Sequence, residues 1–585
     1  MSKRWAFGWA LLASALAGTV RAQPPTGDAR GYESRWFYSS ANLQVDKSAD
    51  ELIALIERAA SVGYNGLMLA DYKLNILNRV PDHYFANVKR VREAAEGAGI
   101  EIIPAVFPIG YSSGLLAHDP NLAEGMPVEA APFVVRGGEA RLVAPSEPLY
   151  RNGGMEEARG DRLDGFGFQD EPGAGSFVDE SVVHSGRRAL RLSAEGDSPN
   201  RRVMRTIAVE PHRAYRFSAW VKAEDLRPAS CFRLLILGAD ERGRALTFFE
   251  GGVRSTQDWK RVEVVFNSLD ESKVNAYVGL WGPSGGTVWV DDVAIEPMGL
   301  TNVLRRDGCP LVVTSDDGET TYEEGRDFEP VADPKLGRVP YDGEYAFDHD
   351  GPPIRLTPNS RIKDGQTLRV SWFHPVAVHG GQVMCCPSDP KVETLLRDQA
   401  RRVNELFHPR TFFMSLDEIR CLNWDRSCLD RGLTPGAILA ENVRKCVAIL
   451  DETAPGCEIV VWSDMFDPTH NAVEGPYYLV NGSLKGSWEG LPRRVTIANW
   501  NSGKAAESLA FFADRGHKQI LAGYYDVDDL SDFTRWNKAA GGVRGVDGFM
   551  YTTWERKYQL LEAYGRAMAE PSETTDFLDP RRTQR

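Results

Sequence analysis

The feature that most constrains this chain is a run of short apolar strands alternating with amphipathic helical stretches, which breaks off once and later resumes. Arg35-Trp-Phe-Tyr-Ser39, Gly66-Leu-Met-Leu-Ala70 and Ile102-Ile-Pro-Ala-Val-Phe107 are separated by helical patterns that begin after Ser48 and run from Val88 to Ala98. The alternation stops there and returns at Lys391, where a helix to Phe407 leads into Thr411-Phe-Phe-Met-Ser-Leu-Asp-Glu418. Glu458–Trp462, Val495–Trp500, Gln519–Tyr524 and Gly548–Trp554 continue the series. Such alternation specifies a parallel sheet covered by helices. Three strands before the break and five after it predict an α/β fold, a (β/α)8 TIM barrel with a large all-β insertion after strand 3. An open doubly wound sheet is the alternative, and it does not require this strand count.

The interrupting segment is rich in strands and turns. Tyr215-Arg-Phe-Ser-Ala-Trp-Val221 and Thr287-Val-Trp-Val-Asp-Asp-Val293 alternate as sandwich strands do. The expected organisation is a leader over residues 1–22, barrel strands 1–3 over 23–145, an inserted β-sandwich over 146–298, a small β-rich segment over 299–370, barrel strands 4–8 over 371–570 and a polar tail over 571–585. Asp316-Asp317-Gly318 lacks a full set of calcium ligands and reads as a solvated turn.

A formal charge of −14 excludes the basic footprint that nucleic acid or an anionic membrane surface requires. Residues 1–22 carry Lys3 and Arg4, then an apolar run to Ala17 and small residues up to Ala22. That is the pattern of a cleavable signal peptide, too short to span a bilayer, and it predicts a secreted or periplasmic protein with no membrane span. Export makes disulfides possible, and among eight cysteines the pair expected is Cys421–Cys428, with Cys446–Cys457 as a second candidate. No Cys-x-x-Cys pair with matching histidines appears, so neither a metal nor a cofactor is expected.

Barrel enzymes place their chemistry at the carboxyl ends of the strands. Asp417 and Glu418 end the fourth strand, and the other strand ends supply Arg35, Trp462, Asp464, Trp500, Tyr524, Tyr525, Asp526, Trp554 and Glu555. His374 lies in the segment re-entering the barrel. Aromatic faces mixed with hydrogen-bonding acids suit a sugar ring, and two carboxylates are the minimum set for cleaving a glycosidic bond. Adjacent strand residues point to opposite faces, so Asp417 and Glu418 reach one substrate only where the strand gives way to a loop.

These residues resemble the β-N-acetylhexosaminidases of glycoside hydrolase family 20. The likeness runs through Arg35, Ile102-Ile-Pro-Ala-Val-Phe-Pro-Ile-Gly110, the Asp417-Glu418 pair, Trp462, Trp500, Tyr524-Tyr-Asp526 and Trp554-Glu555. It implies retaining, substrate-assisted cleavage of a terminal amino sugar or related unit from an oligosaccharide, polysaccharide or glycoconjugate. Glu418 would be the general acid/base. Asp417 and Tyr524 would hold the 2-acetamido group, Arg35, Asp526 and Glu555 would grip hydroxyls, and the three tryptophans would wall the pocket. The sequence departs from that family in having Ser415-Leu416 in place of Gly-Gly, Tyr111 in place of a histidine and Ala105 in place of a glutamate. A substrate without an acetamido group would require the enzyme's own nucleophile or base, from Asp464, Asp526 or Glu555. A non-catalytic glycan-binding protein is the reading from another class. Asn152-Gly-Gly-Met-Glu156, Ser185-Gly-Arg-Arg-Ala-Leu-Arg-Leu192 and Trp289-Val-Asp-Asp-Val293 resemble carbohydrate-binding modules of the family 4/9 kind.

Overall fold

A computed structural model describes residues 31–570 apart from 197, 241, 242 and 249–251. The expected signal peptide and polar tail therefore lie outside the described residues. Eight parallel strands close into a barrel: β1 (Ser34–Ser40), β2 (Gly66–Ala70), β3 (Glu101–Val106), β4 (Thr411–Met414), β5 (Glu458–Trp462), β6 (Thr496–Asn499), β7 (Gln519–Tyr524) and β8 (Val546–Thr552). The ring is sealed by β8 against β1, with Ser34 opposite Gly548. The insertion separates β3 from β4, and these two strands still pair directly, Phe413 against Ala105. This is the (β/α)8 barrel with an all-β insertion after its third strand that the alternation predicts.

Strand alternation divides the barrel's side chains into two sets. Trp36, Tyr38, Met68, Ile103, Phe413, Val460, Trp462, Ala498, Ile520, Ala522 and Met550 fill the interior. The intervening residues, among them Phe37, Leu67, Ile102, Phe412, Val461, Ile497, Leu521 and Phe549, pack outward beneath the helices. Gly66 fits this scheme through its missing side chain, since a Cβ there would lie 2.4 Å from the Trp36 indole. The helices begin as their sequences direct. Thr434 accepts a hydrogen bond from the Ala437 N–H at the start of Pro435–Thr453, and Asp389 does the same for Lys391 at the start of Pro390–Phe407.

The insertion contains two bodies of sheet. One is a sandwich of a five-stranded sheet (strands 257–267, 214–227, 285–297, 189–193, 176–179) and a four-stranded sheet (232–238, 273–281, 200–208, 168–169). Its core holds Leu190, Phe217, Phe232, Ile236, Val278 and Val290. The other is a six-stranded antiparallel sheet whose central strands are Met126–Arg136 and Thr367–His374. Residues 126–142, read from sequence as barrel, thus belong to this sheet together with residues 312–374. The chain leaving the barrel pairs antiparallel with the chain returning to it, with Met126 opposite His374. That long-range pairing overrides the boundaries expected at 145 and 370.

All eight cysteines are free thiols. The Cys421–Cys428 bridge does not form: Cys421 lies in the short strand Cys421–Leu422, its Sγ 3.6 Å from Met126 Sδ, whereas Cys428 faces Cys386. Cys446 lies against Asn442 and is likewise unbridged to Cys457. No helix among the described residues is long and apolar enough to cross a membrane.

Candidate active site

A cavity of about 640 Å³ opens at the carboxyl ends of the barrel strands. Met68, Ala70 and Ala105 form part of its floor, Tyr38, Trp462, Trp500 and Trp554 supply aromatic walls, and Asp417, Glu418, Arg420 and Tyr111 converge on one side. Tyr38 packs edge-on to Trp554 at 5.0 Å between ring centroids, and Trp462 lies 6.0 Å from Trp554 and 6.5 Å from Trp500.

The two acids reach the cavity by different routes. Phe413, Ser415 and Asp417 have the same parity, so Asp417 extends the inward-facing series of β4. Glu418 would face away by that rule, but its φ of +49° turns the backbone and brings its carboxylate into the same space. Gly110 makes the turn possible, because a Cβ there would stand 2.0 Å from the carbonyl oxygen of Asp417. The Glu418 N–H donates to Asp464 Oδ2 at 3.0 Å, which fixes the turned peptide from the β5 side.

Around Glu418 the partners are charged. Arg420 Nη2 lies 2.5 Å from Glu418 Oε1, Arg420 Nη1 donates to Gln382 Oε1 at 2.5 Å, and the Tyr111 hydroxyl donates to Glu418 Oε2. Gln382 in turn donates to the carbonyls of Gly110 (2.6 Å) and Glu418 (3.1 Å), so one side chain joins the loops that follow β3 and β4. Asp417 has a different environment. Burial, then the neighbouring charges of Asp464 and Glu418, raise its carboxyl well above the usual range. Burial also pushes Asp464 up to about 7.

Several residues expected at the site lie elsewhere. Arg35 is at the amino end of β1 and has outward parity; its Nε donates to the Gly63 carbonyl at 2.5 Å, away from the cavity. His374 is buried at the end of its strand in the six-stranded sheet, with Nδ1 2.9 Å from the Pro375 carbonyl and Nε2 3.1 Å from Asn267 of the sandwich. Desolvation lowers it to about 4, and it joins the two inserted sheets. Tyr524 has a φ of +87°, which directs its ring outward to stack on Tyr551 at 4.1 Å. Tyr525 takes the inward direction, parallel to Trp500 at 5.9 Å, and its buried hydroxyl has no hydrogen-bond partner among the described residues. Asp526 accepts from the Thr553 hydroxyl and from the N–H groups of Trp554 (2.9 Å) and Glu555 (3.3 Å), bracing the turn that carries Trp554. Glu555 pairs with Lys557 at 2.6 Å in solvent. Asp464 stands behind Glu418 and outside the cavity lining.

Of the expected residues, Asp417, Glu418, Trp462, Trp500 and Trp554 line the cavity together. Tyr38, Asn75 and Gln382 were missed. Tyr38 was legible, because the parity that places Trp36 inside places Tyr38 one layer above it.

Residues 147–285, which make up most of the sandwich, match the family model of the carbohydrate-binding domain CBM_4_9. No curated protein matches the chain. Among solved structures, a family 16 carbohydrate-binding module is similar to a quarter of the chain, with 17% identity over 25% of this chain and 98% of that one and a TM-score of 0.19. Flavobacterium johnsoniae chitobiase is similar over 92% of this chain and 48% of its own, with 8% identity and a TM-score of 0.38. Streptomyces plicatus N-acetyl-β-hexosaminidase is similar over 94% and 66%, with 10% identity and a TM-score of 0.35. The chain thus spans about half the length of the chitobiase and about two thirds of the hexosaminidase.

Proposed function

We propose that this protein is an exported glycoside hydrolase that removes a terminal sugar unit from a polysaccharide or glycoconjugate, with Asp417 and Glu418 as its working acids. The observation that carries this reading is the meeting of two carboxylates and three tryptophans in one cavity at the carboxyl face of a barrel. The match of the sandwich to a carbohydrate-binding domain supports a glycan as the partner of the whole chain.

The surroundings of the two acids favour a division of labour different from the one the family resemblance implies. Glu418, paired with Arg420 and hydrogen-bonded by Tyr111, is fixed in place to meet the charge developing at the anomeric carbon, as nucleophile or through a water. Asp417, whose carboxyl is raised well above the usual range by burial and by the neighbouring Asp464 and Glu418, is the group to protonate the leaving oxygen. Arg35, Tyr524, Asp526 and Glu555 spend their polar groups outside the cavity or in bracing a turn, which weighs against acetamido-assisted cleavage and for the enzyme's own carboxylates.

The test is a panel of chromogenic N-acetylhexosaminides and plain glycosides, run with the parent protein, Glu418→Gln and Asp417→Asn. Turnover of a plain glycoside is expected, and an activated leaving group should rescue Asp417→Asn more than Glu418→Gln. Hydrolysis confined to acetamido sugars would overturn the division of roles. Unchanged turnover in both variants would overturn the enzymatic reading.

A further inference from the structure

Behind the acid-bearing loop lies a second cluster that takes no part in the proposed reaction. Glu124, Cys386, Asp425 and Cys428 are all buried, and one ligand atom from each lies within 4.8 Å of every other. Cys386 Sγ is 3.6 Å from Cys428 Sγ and 3.5 Å from Asp425 Oδ1, while Cys428 Sγ is 3.8 Å from Glu124 Oε2. A tetrahedral ion about 2.3 Å from sulfur and roughly 2.0–2.2 Å from oxygen holds its ligands about 3.4–3.8 Å apart. The three contacts match those edges.

The surroundings fit the same occupant. Arg306 Nη2 is 2.5 Å from Asp425 Oδ2, and its Nη1 is shared with Asp389 at 3.4 Å. Glu124 has one oxygen held by the Trp424 N–H at 2.7 Å and the other turned to the Cys428 thiol. The Asp425 carboxylate is thus anchored from outside by Arg306, while its Oδ1 and Oε2 of Glu124 face the two thiols. The ligands are also oriented from outside: the Cys428 N–H donates to Asp425 Oδ1 at 3.3 Å, and Ser388 Oγ lies 3.2 Å from Cys428 Sγ.

We propose that Glu124, Cys386, Asp425 and Cys428 form a binding site for one divalent ion of the zinc class. Two thiolates favour zinc over magnesium or calcium, and four protein ligands leave no open position, so the site is structural. On binding, each thiol gives its proton to solvent and no redox change occurs. The ion would tie together the loop after β3, the segment re-entering the barrel and the loop after β4, which are the three pieces that frame Glu418.

The experiment is elemental analysis of the full-length protein purified without chelator, then incubated with zinc and desalted. One zinc per chain is expected, lost in Cys386→Ser and in Cys428→Ser and kept in Cys457→Ser, which lies outside the cluster. Because a cysteine variant can fail to fold, the parent protein stripped by chelator is titrated with Co²⁺, and thiolate-to-cobalt charge-transfer absorption is expected. Absence of that absorption, a metal content far below stoichiometric after zinc incubation, or a Cys386–Cys428 disulfide in peptides from the unreduced protein would each overturn the proposal.

Discussion

Arg420 and Glu418, two positions apart in the chain, face each other at 2.5 Å inside the cavity wall. The same guanidinium holds Gln382, and Gln382 holds the carbonyls of Gly110 and Glu418. The guanidinium that pairs with Glu418 therefore also fixes the loops on either side of it.

Arg420→Met is expected to lower kcat by about 10²–10³, the usual cost of removing a preorganised charge partner. Arg420→Lys should recover only part of this, because an ammonium cannot serve Glu418 and Gln382 in the fork geometry of a guanidinium. Steady-state kinetics on the best chromogenic substrate decide it, and a kcat equal to the parent's in Arg420→Met would show that the pair is inert.

Asp464 gives a pH signature. Its carboxyl titrates near 7 in the fold against an ordinary 3.8. The folded state therefore keeps a proton that the unfolded chain has released. This contribution to stability is complete below pH ~4 and is lost as the pH rises to ~7. Asp464→Asn keeps a carbonyl acceptor for the Glu418 N–H and removes the titration. Thermal unfolding from pH 4 to 8 should show a shallower decline of Tm in the variant, and an identical slope would exclude Asp464 as its source.

Gly110→Ala forces a methyl group into the Asp417 carbonyl and is expected to cost about 1–3 kcal/mol of stability along with most of the activity. Gly97→Ala is the control, since a Cβ at that helical position meets nothing within 4 Å and should stabilise by about 0.5–1 kcal/mol. Urea unfolding of the two variants separates the effects.

The tryptophans should divide by depth. Trp554 is 47% exposed, so Trp554→Ala is expected to raise KM with a stability change within about 0.5 kcal/mol. Trp462 is 3% exposed within the barrel core, and Trp462→Ala should cost about 3–5 kcal/mol. Calorimetry and KM measured on the same preparations test both.

The barrel was legible because its signal is local: each strand and helix announces itself by its own period, and the count of eight follows. The site was legible where a residue obeys strand parity, as Asp417, Trp462 and Trp500 do. It failed where backbone conformation overrides parity. Tyr524, Tyr525 and Asp526 all have positive φ, so of the two tyrosines expected in the pocket Tyr524 faces out and Tyr525 faces in. Arg35 failed for a simpler reason, being at the wrong end of its strand. The sheet joining Met126–Arg136 to Thr367–His374 and the cluster joining Glu124 to Asp425 depend on residues some 230–300 positions apart, a separation that no local pattern encodes.

That six-stranded sheet bears on how such a chain can change. The chain passes into the sandwich after Leu142 and out of it at Gly299, and a Cβ at Gly299 would stand 3.8 Å from Leu142, so the two passages are neighbours on that sheet. A lineage could exchange the sandwich for another module, or lose it, by recombination between two neighbouring points and without rethreading the barrel. The sandwich could then change separately from the cavity that holds Asp417 and Glu418.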